Sequence, residues 1–251
     1  MGRPLTAYSR LLNVQMKLFL REPFAVFFTI VFPLVLIFIL SSAFGHFAAH
    51  PGYHVSDLNV PSLMAFVLAN LGLIGIPVVI TIYKEHGILK RYRASPITLE
   101  ALLAVLLTVQ FAMFIVSGTL MIGLTWLLFG LHFSGDVLSF GVAVVLGALA
   151  LFAVGFALGG LIGTARTAQA VGMSLLFPMY FLSGAAIPRS EMPSWIARIG
   201  DFVPLTYVND ALTNTWIGEG LRAGSSPKAL LVMGVFAVGA VLVSWRTFKW
   251  S

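Results

Sequence analysis

Residues Phe24–Phe44 read FAVFFTIVFPLVLIFILSSAF, an unbroken apolar stretch without one charged side chain. A helix needs ~20 mostly apolar residues to cross ~30 Å of hydrocarbon. Lipid offers no partner to an open backbone, so such a stretch has to be helical. Five further runs of this character follow, at Pro61–Tyr83, Ala101–Phe129, Val137–Gly163, Ala168–Ile187 and Ala229–Trp245. Of the 251 residues, 59% are apolar and only 10% are charged, against about 45–50% and about 25% in soluble proteins. The sequence therefore predicts an all-α membrane protein of about six transmembrane helices. It makes a single transmembrane domain over residues 1–251, with no soluble domain of its own.

The flanks orient the runs. In residues 1–23, Leu5, Tyr8, Leu11, Leu12, Leu18 and Phe19 interleave with Arg10, Asn13, Lys17 and Arg21. This is the spacing of an amphipathic helix lying in the membrane interface, and the stretch does not read as a cleaved signal peptide. Lys84, Lys90, Arg91 and Arg93 follow the second run, Arg166 lies between the fourth and fifth, and Arg246 and Lys249 close the chain. The alternate loops, 45–60 and 130–136, hold no Lys or Arg. Positive charge stays inside, so both termini are expected in the cytoplasm. The net charge of +6 belongs to these flanks, and no nucleic-acid partner is expected.

What is missing narrows the mechanism. No ionisable side chain stands in the middle of a run, although one there costs ~2.5–3.5 kcal/mol and marks a proton or ion path. A proton-driven carrier is therefore disfavoured. No G-x-x-x-x-G-K-[ST] sequence cradles a nucleotide phosphate, and no H-E-x-x-H or G-x-S-x-G motif supports an enzyme. With no cysteine, disulfides and Cys-based metal sites are excluded. His46, His50 and His54 stand four apart, but Pro51 and Gly52 break the helix face that would align them, so no metal is expected. Asn70, Gln110 and the adjacent Phe111 are candidate pathway residues. Pro33 and Pro178 should kink their spans. Gly155, Gly159 and Gly163 form a stripe that lets a neighbouring helix approach closely.

Two segments read as machinery. Residues 84–100 lie in YKEHGILKRYRASPIT (Tyr83–Thr98), where Gly87 can end one helix and Ser95-Pro96 the next. Ile88, Leu89 and Tyr92 interleave with Lys90, Arg91 and Arg93, which suits docking on a cytosolic partner. Residues 188–227 hold two short amphipathic pieces, one around Trp195, Ile196, Ile199 and Phe202, the other around Leu205, Tyr207, Val208, Leu212 and Trp216. Pro193 and Pro204 punctuate them. They read as short re-entrant helices in the outer leaflet.

With Arg21-Glu22-Pro23 and Phe32-Pro33, with Lys84-Glu85-His86-Gly87 through Ser95-Pro96, and with Pro188, Met192-Pro193, Pro204-Leu205-Thr206-Tyr207 and Asp210-Ala211-Leu212, the chain resembles the membrane subunit of a type-2 ABC exporter. Its drug-resistance and antibiotic-export branch is the nearest in look. The resemblance implies a permease in the cell membrane that pairs with an identical or related permease and with two ABC ATPase subunits. It implies no cofactor in this chain, with ATP and Mg bound by the ATPase. Glu85, Gly87, Leu89, Lys90, Arg91 and Arg93 would couple to that ATPase. Pro193, Trp195, Pro204, Tyr207 and Asp210 would form the outer gate. The cargo would be an amphiphilic drug, lipid or lipid-linked molecule. Ile88-Leu89-Lys90 departs from the Thr-Leu-Glu run often found in the family. The rival readings are a membrane anchor or sensor subunit for a cytosolic ATPase, and an ion-coupled carrier.

Overall fold

The computed structural model describes residues 2–45, 48–50, 52–88, 99–220, 231–236 and 238–239. The N-terminal amphipathic run is helix α1 (Gly2–Arg21). Leu11, Gln15 and Phe19, four residues apart, form its buried stripe. Glu22 is extended, with φ −91° and ψ 94°, as expected of a residue before proline. Pro23 then opens α2 (Pro23–Phe44), so Arg21-Glu22-Pro23 is a hinge between a helix along the bundle and a helix within it.

A two-stranded antiparallel hairpin, β1 (Ala48–His50) and β2 (Tyr53–His54), links α2 to α3 (Val55–Glu85). The other elements are α4 (Leu99–Phe129), α5 (Val137–Leu161), α6 (Ala165–Leu182), a single 3₁₀ turn at Arg189–Glu191, α7 (Ser194–Gly200) and α8 (Pro204–Trp216). Among the described residues, four helices, α2 to α5, are long and apolar enough to cross a membrane. That is fewer than the six expected. Helix α6 has 18 residues, but it opens with Arg166, Thr167 and Gln169, so its apolar part is too short to count as a span on composition. Of the run 229–245, only Leu231–Phe236, Val238 and Gly239 lie among the described residues, and these are helical.

Some boundaries move for local reasons. Helix α3 begins at Val55, not Pro61, because Asp57 Oδ2 accepts the His54 amide at 2.9 Å and caps the first turn. Helix α6 begins at Ala165, not Ala168, because Thr164 Oγ1 accepts the Thr167 amide at 3.2 Å.

Helix α3 is the axis of the bundle. Within its most apolar stretch 83% of residues are buried, against 22%, 50% and 39% for α2, α4 and α5. It packs on α2, α4, α5, α6 and α8. Both α2 and α3 contain a π-helical segment, Phe27–Val31 and Leu71–Gly75, and each segment is followed after one residue by a proline, Pro33 or Pro77. Proline lacks an N–H, and its ring presses on the carbonyl four residues back. A wide π turn just before it relieves that pressure. The carbonyl of Thr29, which Pro33 cannot serve, accepts the Ser117 hydroxyl of α4 at 2.6 Å. Thr29 Oγ1 accepts Asn70 Nδ2 of α3 at 3.1 Å. One fully buried threonine thus ties three helices together.

The glycine stripe of α5 faces α3. A Cβ at Gly155 would fall 2.0 Å from the Gly72 carbonyl oxygen, and one at Gly159 would fall 2.9 Å from Ile80 Cδ1. Gly163 lies beyond the helix end and has no neighbour within 4 Å of such an atom. We predict that Gly155→Ala destabilises the purified protein by about 1–3 kcal/mol, since backbone must move to admit the methyl group. Gly163→Ala stays near wild type. Thermal unfolding in detergent reads both.

Candidate functional site

At one end of the bundle, α3 finishes with Lys84 and Glu85, and Gly87 follows at φ 62°, the left-handed backbone that ends a helix. Lys84 Nζ donates to the carbonyls of Gly159 at 2.6 Å and Gly160 at 2.7 Å, near the C-terminus of α5. Glu85 Oε1 accepts the Ala165 amide at 3.3 Å, at the N-terminus of α6. Both charges have the favourable sign. A helix C-terminus carries partial negative charge and an N-terminus partial positive charge. Two neighbouring residues thereby hold the α5–α6 turn from both sides. The sequence reading placed Lys84, Glu85 and Gly87 in the coupling segment but did not name Lys84 among its coupling residues. Leu89, Lys90, Arg91 and Arg93 lie outside the described residues.

Beside this clamp a cavity of about 190 Å³ runs between α1, α2, α3, α4 and α6. Its walls are largely apolar, with Ile74, Val78, Val79 and Ile82 from α3 and Leu106 and Val109 from α4. Its polar groups come from five different helices or their junctions. Gln15 of α1 donates its amide to the Tyr83 hydroxyl, and Asn70 and Thr29 are the bonded pair described above. Gln110 of α4 and Gln169 of α6 complete the set, with Glu22 at the hinge. Both π-helical segments border the cavity, through Thr29 on one side and Leu71, Ile74 and Gly75 on the other. Asn70 and Gln110 therefore share one space. Phe111 is not in its lining and packs instead with Phe114, ring centroids 6.1 Å apart. The sequence reading missed Gln15 and Thr29. The visible signal for Thr29 was a hydroxyl four residues before a proline in an apolar run.

At the other end, Asp57 is 2% exposed and its second oxygen accepts the His132 amide at 2.9 Å. This holds the α4–α5 loop against α3. Pro193 is the N-cap of α7 and Pro204 opens α8, the position that tolerates a missing N–H. Trp195 is exposed. Arg189 pairs with Asp201 and also donates to the Ala197 carbonyl at 2.9 Å, while the Tyr207 hydroxyl donates to the Asp201 carbonyl at 2.7 Å. Asp210 sits behind this cluster. Burial pushes its carboxyl up to about 6, opposed by Arg189 and reinforced by Asp201.

The sequence profile of the ABC-2 type transporter family matches residues 6–216. The chain is 26% identical over 154 residues to "Inner membrane transport permease YhhJ" of Escherichia coli (strain K12), and equally to the protein of that name from Shigella flexneri. The match covers 60% of this chain but 38% of the length of those relatives.

For Asp210, a folded-state value above the unfolded one means that the native protein holds a proton the unfolded chain has released. Stability is then full below about pH 4 and falls as pH rises toward about 7. Asp210→Asn should raise stability by about 3 kcal/mol above about pH 7, with the gain vanishing toward about pH 4. Unfolding midpoints across that range measure the crossover.

Proposed function

Because this chain belongs to the ABC-2 type transporter family, we propose that it is the permease subunit of an ATP-driven exporter. It pairs with a second permease, identical or related, to form a path for an amphiphilic drug, lipid or lipid-linked cargo. Separate ABC ATPase subunits bind ATP and Mg. The α3 end with Lys84 and both chain termini face the cytoplasm of a cell membrane. Helix α6 and the 229–245 run are the fifth and sixth spans, α1 lies in the inner interface, and α7 and α8 dip into the outer leaflet as the gate.

The observation that carries this reading is the clamp of Lys84 and Glu85 on the α5–α6 turn. Lys90, Arg91 and Arg93 stand six, seven and nine residues after Lys84. Force applied there by an ATPase reaches α3 directly. Through the clamp it reaches α5 and α6, so three helices move together as a rigid unit. Gln15, bonded to Tyr83, ties α1 into the same unit.

In vesicles holding this permease and its ATPase, ATP-dependent cargo movement is expected. Replacing Lys90, Arg91 and Arg93 with Glu should abolish co-purification of the ATPase without loss of membrane insertion. Lys84→Met should leave that association intact and lower cargo movement per ATP at least about tenfold, the loss expected when a charged hydrogen-bond donor to two carbonyls is removed. A triple variant that exports normally would refute the coupling assignment. Uphill transport by the chain alone under an ion gradient would refute the exporter.

A further inference from the structure

Two features of the cavity point to what it holds. Gln110 is 1% exposed, and its Oε1 has no hydrogen-bond partner. A buried acceptor left without a donor costs ~1–3 kcal/mol, so this oxygen awaits an N–H or O–H from a guest. At the rim, Glu22 is exposed beside Leu18 and, among the described residues, is the one charged side chain in the lining. Among the described residues, no Lys or Arg lines this space. The space is thus apolar along its walls, acidic at its mouth and hydrogen-bond accepting within.

Dimensions follow from α3. Gln110 Nε2 lies over Gly75, eight residues from the Tyr83 end, or ~12 Å at 1.5 Å per residue. A cavity of ~150 Å³ admits a benzene ring, so this one, about 190 Å³ and open on one side, takes one ring of a planar molecule whose remainder lies at the mouth beside Glu22.

We propose that this intrasubunit cavity is a binding site for a compact lipophilic cation, entering from the inner interface past Glu22 and donating a hydrogen bond to Gln110. The cation's charge sits at Glu22, its apolar body lies against α3 and α4, and its donor reaches Gln110 Oε1. The π-helical segments of α2 and α3 give the site its width. That such a cation is cargo rests on the exporter reading above; the binding does not.

Proflavine is a suitable probe, being a planar cation with an amino group at each end. Acridine is the same ring system without either amino group and is uncharged at neutral pH. The full chain in lipid nanodiscs, without any ATPase, is titrated with each and followed by fluorescence anisotropy against empty nanodiscs. Proflavine should bind saturably. Gln110→Leu should weaken it about tenfold, through loss of the unpartnered buried acceptor. Glu22→Gln should weaken it several-fold and remove the salt dependence of binding. Acridine should bind more weakly and respond to neither change. Glu22 is exposed, so Glu22→Gln tests the site even where Gln110→Leu impairs folding. Proflavine binding that is equal in wild type and both variants, or no greater than partition into empty nanodiscs, would overturn the site. A chain that binds proflavine in this way but is never driven by ATP would instead overturn the exporter reading.

Discussion

Inside hydrocarbon, each backbone carbonyl that a helix cannot serve has to be answered by another part of the protein. Much of this bundle is organised around such carbonyls. Pro33 removes the donor due to Thr29, and Ser117 of α4 replaces it. Pro77 removes the donor due to Leu73, and α6 closes over that carbonyl at Gly172, where a Cβ would fall 2.4 Å from the oxygen. The last carbonyls of α5 are taken by the Lys84 ammonium. In each case a backbone deficit in one helix becomes a specific tie to another.

These ties explain why α3 is the axis. It supplies Asn70 to α2, the glycine surface to α5, the Leu73 carbonyl to α6 and the charged clamp to the α5–α6 turn. Close-packed interiors move as units and switch between discrete arrangements, with little continuous bending. On the proposed function, a push at the Lys84 end would travel through α3. The π-helical segments are the exception to close packing. They widen two helices at one level, and the cavity opens beside them. The close-packed ties and the cavity meet on one helix.

The end opposite Lys84 is built differently. Asp57 caps its own helix and grips the α4–α5 loop, Phe133 and Phe140 pack edge-on against Trp216 with centroids 4.8 and 5.3 Å away, and Arg189 pins Asp201. Aromatic and ionic contacts suit a region with one side in lipid headgroups and water. The contrast with the apolar middle follows from the available solvent.

The sequence by itself determined that this is a helical membrane protein. Runs such as Phe24–Phe44 are too apolar for any other solvent, and their length sets where each crosses. It also determined the amphipathic stripe of α1 and the close approach at Gly155 and Gly159, because helical spacing is a local property of the chain. Only the tertiary structure decided that Gln15 meets Tyr83, that Thr29 joins three helices, that Lys84 completes the clamp begun by Glu85, and that Asn70 and Gln110 share a cavity while Phe111 does not. Those pairings join residues as many as 88 positions apart. They depend on which faces of the helices meet, and periodicity along one helix says nothing of its neighbour.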